Sequence, residues 1–168
     1  MDYVRLCKGL ETSGKLVPYA DLYNHIDSGS LHDWYRSIYV YSEEQYKDFQ
    51  KSGSVAGVTD VKTQSLIWDF DDKTNVEQAR QDTVELISRL ATHFPIDAIQ
   101  VAFSGFKGFS VEVNTDTWIT PAQFKGITMK LAEGLKTTDP KIVNASRVLR
   151  IPNTRHPETG LYKLPLTV

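Results

Sequence analysis

The run of residues 65–72, Ser-Leu-Ile-Trp-Asp-Phe-Asp-Asp, constrains this chain most, because it predicts a buried strand that ends in carboxylates. Side chains alternate between the two faces of a strand, so Leu66, Trp68 and Phe70 share one face and Asp69 and Asp71 share the other. Neighbouring carboxylates repel each other and are costly to desolvate, so one interpretation is a site for a hard metal ion. The alternative is a solvated strand end that leads into the next helix.

Length and composition predict one compact domain over residues 1–168, since the chain has 168 residues and is 40% hydrophobic. The overall balance of 19 basic and 21 acidic residues gives no indication of nucleic-acid binding. The distribution is uneven, because six Lys and Arg residues and only two acids lie from Lys136 onward. A basic segment that folds beside an acidic strand end suits an anionic ligand held through a metal, although the asymmetry could also arise by chance.

Cysteine and histidine usage argues against zinc. Cys7 is the one cysteine, and the four histidines are scattered without a His-x-x-x-His pair, so we expect neither an internal disulfide nor a zinc site. No apolar stretch approaches the roughly 20 residues of a membrane span, and the start has no signal-peptide pattern. We therefore expect a protein of the cytoplasm that does not bind membranes.

The pattern along the chain predicts an α+β fold with mixed or antiparallel sheets. Helices are predicted for residues 17–26, for 43–51 behind a Ser42 cap, for a stretch opened by a Thr74–Glu77 capping box, and for 121–135 behind Thr120. Strands are predicted at residues 37–41, 65–71, 96–103, 109–113, 147–151 and 161–166.

Three further features carry chemistry. Residues 104–108, Ser-Gly-Phe-Lys-Gly, join two predicted strands, where the glycines would let the backbone approach a ligand and Lys107 would supply a charge for phosphate. The alternative is an ordinary hairpin with a surface lysine. Arg147 and Arg150 lie among apolar residues, which indicates either a bound anion or structural ion pairs. Asp139 precedes a proline and on its own is typical of a turn.

Together these motifs resemble the archaeo-eukaryotic primase superfamily, particularly the primase-polymerases of phages, plasmids and related mobile elements. The matching words are Trp-Asp-Phe-Asp at residues 68–71, Phe-Ser-Gly-Phe-Lys-Gly-Phe-Ser at 103–110, and Ser-Arg-Val-Leu-Arg-Ile-Pro-Asn-Thr at 146–154, followed by Thr-Gly at 159–160 and Lys-Leu-Pro-Leu at 163–166. The resemblance covers roughly residues 35–166. It implies a two-module catalytic core whose palm resembles an RRM domain, flanked by helices.

The resemblance also implies an activity and a set of site residues. The activity is that of a DNA primase or DNA polymerase, which joins nucleotides to a 3′-hydroxyl on a template with two Mg²⁺ or Mn²⁺ ions. Metal ligands and catalytic acids would be Asp69, Asp71 and Asp139, and the incoming dNTP or NTP would be held by Ser104, Lys107, Ser110, Arg147 and Arg150. The implied partners are template and primer DNA, and helicase or primer-initiating regions of a larger replication protein. For a phage or plasmid protein, the compartment would be the host cytoplasm.

Ser110 departs from the family, which usually has histidine at this position. Serine keeps a hydrogen-bond donor but loses the charge and reach of imidazole, so we expect weaker nucleotide binding or slower catalysis. Arg147 and Arg150 can bind the same ligand only if the strand is irregular between them. They are three positions apart, so on a regular strand they would lie on opposite faces and would need a bulge or turn to reach one ligand.

Two rival functions follow from the same residues. The fold could serve as a nucleotide- or DNA-binding module with weak or no catalysis, or Asp-x-Asp could belong to another metal enzyme such as a nuclease or nucleotide-sugar transferase. Trp34, Tyr35 and Arg36 are candidates for contacts with template DNA, with core packing as the alternative.

Overall fold

The computed structural model describes residues 1–10, 13–27, 32–144 and 146–168. Within these ranges the chain forms eight strands, three α-helices and three short 3₁₀ helices. The strands are β1 (Tyr3–Lys8), β2 (Lys15–Pro18), β3 (Trp34–Tyr41), β4 (Thr63–Asp71), β5 (Ile99–Phe103), β6 (Gly108–Ile119), β7 (Val148–Arg150) and β8 (Leu164–Leu166). The α-helices are α1 (Glu43–Ser52), α2 (Val76–Leu90) and α3 (Pro121–Leu131), and the 3₁₀ helices are Tyr19–His25, Ile96–Ala98 and Pro140–Val143.

The predicted α+β fold is confirmed by two four-stranded sheets. One sheet has the order β2-β1-β3-β7 and the other has the order β4-β6-β5-β8. Neighbouring strands in both sheets are antiparallel. Among the described residues, no helix has the length and apolar composition that crossing a membrane requires.

The second sheet, with helices α2 and α3, has the connectivity of an RRM domain. Strand β4, helix α2, strands β5 and β6 and helix α3 follow in chain order, and β6 lies between β4 and β5. The free edge of β4 is then taken by residues 137–139, where Thr138 bridges to Phe70 in the antiparallel sense. This completes a β-α-β-β-α-β unit, and β8 extends it at the edge of β5.

Helices α2 and α3 cover one face of this sheet. Trp68 and Phe70 of β4 are fully buried on that face, and the indole Nε1 of Trp68 donates to the carbonyl oxygen of Thr128 in α3 at 3.0 Å. The opposite face of the sheet turns toward the first sheet. There, Arg36 of β3 donates to both carboxylate oxygens of Glu112 in β6, at 2.5 and 2.7 Å, and so ties the sheets together.

Short sequence patterns predicted the starts of two helices correctly. The capping boxes at Ser42 with Gln45 and at Thr120 with Gln123 are both present. Helix α2, however, is capped one residue later than predicted. The side chain of Asn75 accepts from the backbone amide of Gln78 at 3.1 Å.

Several predicted boundaries differ from the structure: β3 begins at Trp34 and β6 continues to Ile119, whereas β8 begins only at Leu164. The helix predicted over residues 17–26 is wrong at its start, because Lys15–Pro18 pairs with β1, and the 3₁₀ helix begins at Tyr19. Helix α3 ends at Leu131 rather than near residue 135. The strand predicted from residue 96 begins at Ile99, since the three residues before it form a 3₁₀ turn.

Candidate active site

A cleft of about 410 Å³ lies where strand β4, the β5–β6 hairpin and the segment around β7 meet. It is lined by seven of the eight predicted site residues: Asp69, Asp71, Ser104, Lys107, Ser110, Arg147 and Arg150. The eighth, Asp139, borders the cleft through a bond to Arg147. Residues that the sequence separates by about 80 positions are therefore brought to one place.

The two acids of β4 project from the cleft face of the palm. Their side chains are largely buried, with 19% of Asp69 and 25% of Asp71 exposed. Burial, and next the negative charge of Asp71, raise the pKa of Asp69 to about 6, although Lys163 and Arg147 oppose the rise. Burial and a neighbouring acid both make ionisation of Asp69 costly, and a bound cation would offset that cost.

Asp139 is held beside Asp69 by its backbone. Its amide donates to the carbonyl oxygen of Asp69 at 2.8 Å, and its Oδ1 accepts from the amide of Lys141 at 2.9 Å. The other oxygen, Oδ2, accepts from Nη2 of Arg147 at 2.8 Å. That same Nη2 lies 4.0 Å from Oδ2 of Asp69, so the guanidinium of Arg147 stands between the two carboxylates.

Asp82 of helix α2 anchors the segment that carries Asp139. One oxygen of this buried carboxylate accepts from the amides of Lys136 and Thr137 at 2.7 and 2.8 Å and from the hydroxyl of Thr137 at 2.9 Å. Burial alone would raise the pKa of Asp82, but these hydrogen bonds lower it below its ordinary value. The available sequence signal for Asp82 is an acid on the apolar stripe of a helix.

The hairpin of residues 104–108 is shaped by its small residues. The hydroxyl oxygen of Ser104 accepts from the amides of Phe106 and Gly108 at 3.3 and 3.1 Å. A side chain at Gly108 would overlap the carbonyl oxygen of Phe70, so this glycine lets the hairpin lie directly against the end of β4. The sequence predicted that these glycines let the backbone approach a ligand, but Gly108 instead lets the hairpin approach the backbone of β4. This approach brings Nζ of Lys107 to 2.9 Å from Oδ2 of Asp71.

The two arginines have different surroundings. Arg147 precedes β7, and this position outside the strand lets it line the same cleft as Arg150. Arg150 is buried, and its guanidinium donates to the carbonyl oxygen of Thr154 at 3.0 Å and to that of Ser104. Arg150 therefore holds the closing segment against the hairpin, whereas Arg147 faces the acids.

Ser110 lies on β6 directly opposite Asp69 of β4, and it lines the cleft as the sequence predicts. Glu112, two residues further along, is taken by Arg36. Burial opposes the ionised form of Glu112, but the Arg36 guanidinium keeps its pKa below the ordinary range. Of the candidate DNA contacts, Trp34 and Tyr35 are buried and Arg36 is bound to Glu112, which fits the core alternative.

Sequence reasoning missed Lys163 at the floor of the cleft. This lysine is buried, and its Nζ donates to the carbonyl oxygen of Arg150 at 3.0 Å. Burial lowers the pKa of Lys163 to about 8, while the charges of Asp69 and Glu112 oppose the shift. A lysine within the otherwise apolar run of residues 161–166 was the available signal.

The donor set fits a hard divalent cation. The carboxylate oxygens of Asp69 and Asp71 share the cleft, and oxygen is the ligand that Mg²⁺ prefers. Among the described residues, however, no three acids, histidines or cysteines are close enough to form a complete metal site. Arg147 contacts both Asp139 and Asp69 there, at 2.8 and 4.0 Å.

Comparisons with known proteins support the fold. No family model matches the sequence, and no curated protein matches it. Among solved structures, the chain is similar to the polymerase domain of Ligase D from Mycobacterium tuberculosis, determined in complex with DNA, with a TM-score of 0.52 and 12% sequence identity. The match covers 80% of this chain and 52% of that one, so the chain spans about half of its neighbour. The chain therefore has a polymerase-like fold.

Proposed function

We propose that this protein is a template-dependent nucleotidyltransferase, a DNA primase or polymerase that joins nucleotides to a 3′-hydroxyl. The observation that carries the proposal is the cleft, in which two acids of a palm strand face Lys107, Arg147 and Ser110. A polymerase-like fold supports it independently. We further propose that the chain is the catalytic domain of a larger replication protein.

The acids would hold the metal ions. Asp69 and Asp71 would bind Mg²⁺ or Mn²⁺ through oxygens on the cleft face, and Asp139 would complete the site once Arg147 leaves it. Bound divalent ions would lower the pKa of the attacking 3′-hydroxyl and neutralise the charge of the leaving pyrophosphate.

The basic residues would hold the triphosphate. Arg147 can present a planar pair of donors, and Lys107 can present a compact charge, both in the cleft that Ser110 also lines. Arg150 would form the wall itself, because its guanidinium is already bound to two carbonyl oxygens. Ser104 would act by setting the shape of the hairpin, since its hydroxyl already accepts two amides.

DNA is the proposed macromolecular partner. The neighbouring structure contains DNA, and a template strand is what would select the incoming dNTP or NTP. Catalysis of this kind depends on positioning and electrostatics, so the cleft needs no Ser-His or Cys-His nucleophile.

Extension of a labelled primer on a DNA template tests the proposal. We expect nucleotide incorporation with Mn²⁺ or Mg²⁺, and dNTPs and NTPs are supplied in separate reactions to identify the preferred sugar. Binding of nucleotide or DNA without incorporation under any of these conditions would instead indicate a binding module. Cleavage of the DNA without added nucleotides would indicate a nuclease.

A further inference from the structure

Arg147 contacts two of the three acids of the cleft. Its Nη2 bonds to Asp139 Oδ2 at 2.8 Å and lies 4.0 Å from Asp69 Oδ2. A guanidinium and a divalent cation compete for the same carboxylates, because their positive charges repel each other and both draw on the oxygen lone pairs. Arg147 in this position therefore opposes the binding of a metal ion by Asp69 and Asp139.

Lys107 forms an ion pair with Asp71, the second acid of β4. Its Nζ lies 2.9 Å from Asp71 Oδ2, and both side chains are about a quarter exposed. Each side of the acidic cleft thus has its own cationic side chain. The two cations come from different elements, the hairpin before β6 and the segment before β7.

The guanidinium of Arg147 is not fully satisfied where it lies. Its Nε is buried and finds no hydrogen-bond acceptor among the described residues. A guanidinium has five N–H donors, and a phosphate group can accept a parallel pair of them. The incomplete bonding is what would be expected of a side chain with a second position that offers more acceptors.

We propose that Arg147 is a built-in counter-cation that competes with the metal ion for Asp69 and Asp139 and transfers to the triphosphate when nucleotide enters. This inference rests on the proposed function for the identity of the triphosphate. It has a thermodynamic consequence. Metal binds weakly alone, and metal and nucleotide raise each other's affinity by the same factor.

Titration of Mn²⁺ into the full chain without nucleotide, followed by electron paramagnetic resonance of free Mn²⁺, tests the competition. We expect Arg147→Ala to tighten Mn²⁺ binding by about fivefold or more, the order expected when one unit charge is removed near 4 Å from a cation in a solvated site. In the same variant, a non-hydrolysable dNTP analogue with Mn²⁺ should bind more weakly than in the wild type. The two affinities therefore change in opposite directions.

Lys141→Ala is the matched control. Lys141 lines the same cleft and carries the same charge, but its side chain is in no ion pair between described residues. We expect it to change Mn²⁺ affinity by less than about twofold, as a screened charge without direct contact would. Arg147→Gln, which keeps a donor for Asp139, serves as a second variant if Arg147→Ala melts at a lower temperature than the wild type.

The outcomes separate this inference from the proposed function. Unchanged or weaker Mn²⁺ binding in both Arg147 variants, or equal tightening in Lys141→Ala, would overturn the counter-cation even if the wild type extends primers. Tighter Mn²⁺ binding in a protein that extends no primer would support the counter-cation and remove the proposed activity. If neither the wild type nor Arg147→Ala binds Mn²⁺, with or without the nucleotide analogue, both the counter-cation and the proposed function would be overturned.

Discussion

The two faces of strand β4 differ in almost every physical respect. On the helix side, Trp68 and Phe70 are fully buried against α2 and α3. On the cleft side, Asp69 and Asp71 lie close together, and each is partly exposed and faces a cation from another element. The same nine-residue strand is therefore fixed by packing on one face and electrostatically strained on the other.

The difference shows which side chains of β4 stabilise the fold and which are available for chemistry. Side chains on the helix face contribute free energy by removing apolar surface from water, so their loss unfolds the protein. Acids on the cleft face contribute little to stability because they repel each other, so their loss should remove function while the fold remains. Each of the following variants tests one side of this division.

The largest stability loss is expected on the helix face. Trp68→Ala removes a fully buried indole and its bond to the carbonyl of Thr128, and should lower the free energy of unfolding by about 3–5 kcal/mol. Trp118→Ala is the matched control, since 39% of Trp118 is exposed and it should lose less than about 1 kcal/mol. Denaturant unfolding measures both. Equal losses would show that burial on β4 does not set the stability of the palm.

Substitution of Asp82 tests whether this residue stabilises the fold by anchoring the segment that carries Asp139. Asp82→Ala leaves the amides of Lys136 and Thr137 without their acceptor and should cost about 3 kcal/mol. Because the pKa of Asp82 is lowered in the folded protein, its contribution is present above the unfolded pKa of about 3.9 and is lost as the pH falls below it. The stability difference between wild type and variant should therefore be large at pH 6 and shrink toward pH 3.

A pH-independent difference would contradict the assignment of Asp82 as an ionised anchor. Glu85→Ala supplies the control, because Glu85 lies on the same helix with its side chain 55% exposed and bonded only to Arg89 among the described residues. We expect its effect on unfolding to stay below about 0.5 kcal/mol.

Arg150 extends the comparison to the basic segment. Its guanidinium bonds to two backbone carbonyl oxygens, so Arg150→Ala should lower the free energy of unfolding by about 1–3 kcal/mol. Arg147→Ala should cost less, below about 1 kcal/mol, since its one hydrogen-bonded ion pair among the described residues, with Asp139, is partly exposed. Thermal melts of the two variants, measured side by side, test this difference. A lower melting temperature for Arg147→Ala than for Arg150→Ala would show that Arg147 has the structural role.

Ser110→His is the smallest expected change. Ser110 faces the cleft opposite Asp69, so an imidazole should fit with a stability change below about 1 kcal/mol. One added hydrogen bond to phosphate should tighten nucleotide binding about two- to tenfold. Glu112 is bound to Arg36 and is not free to take the new imidazole. An unchanged affinity in a folded variant, measured by nucleotide titration, would place Ser110 outside the site.

Local signals identified most of the features whose partners are near in sequence, although the Thr74–Glu77 signal placed the cap of α2 one residue too early. The capping boxes at Ser42 and Thr120 and the alternation of β4 and β6 depend on residues a few positions apart. The helix predicted from residue 17 failed at its start because β2 exists through pairing with β1, as Val17 lies opposite Val4.

The candidate site could be predicted as a set of residues but not as an arrangement. Family resemblance brought Asp69, Asp139 and Arg147 together, yet nothing in the sequence showed that Arg147 stands between the two acids. Asp82 bonds to Thr137 across 55 positions, a distance over which sequence patterns carry no signal. Contacts of this kind depend on how the elements pack.

The most direct test of the central claim is primer extension by Asp69→Ala and Asp71→Ala, with melting curves on the same samples. We predict that both variants lose nucleotide incorporation and keep a near-normal melting temperature, because each removes a proposed metal ligand and relieves carboxylate repulsion. Asp72→Ala is the control from the same run. Its carboxylate accepts from the amides of Thr74 and Asn75 just before helix α2, so the variant should lose about 1 kcal/mol of stability and still extend primers. Near-normal extension by either Asp69→Ala or Asp71→Ala would contradict the account.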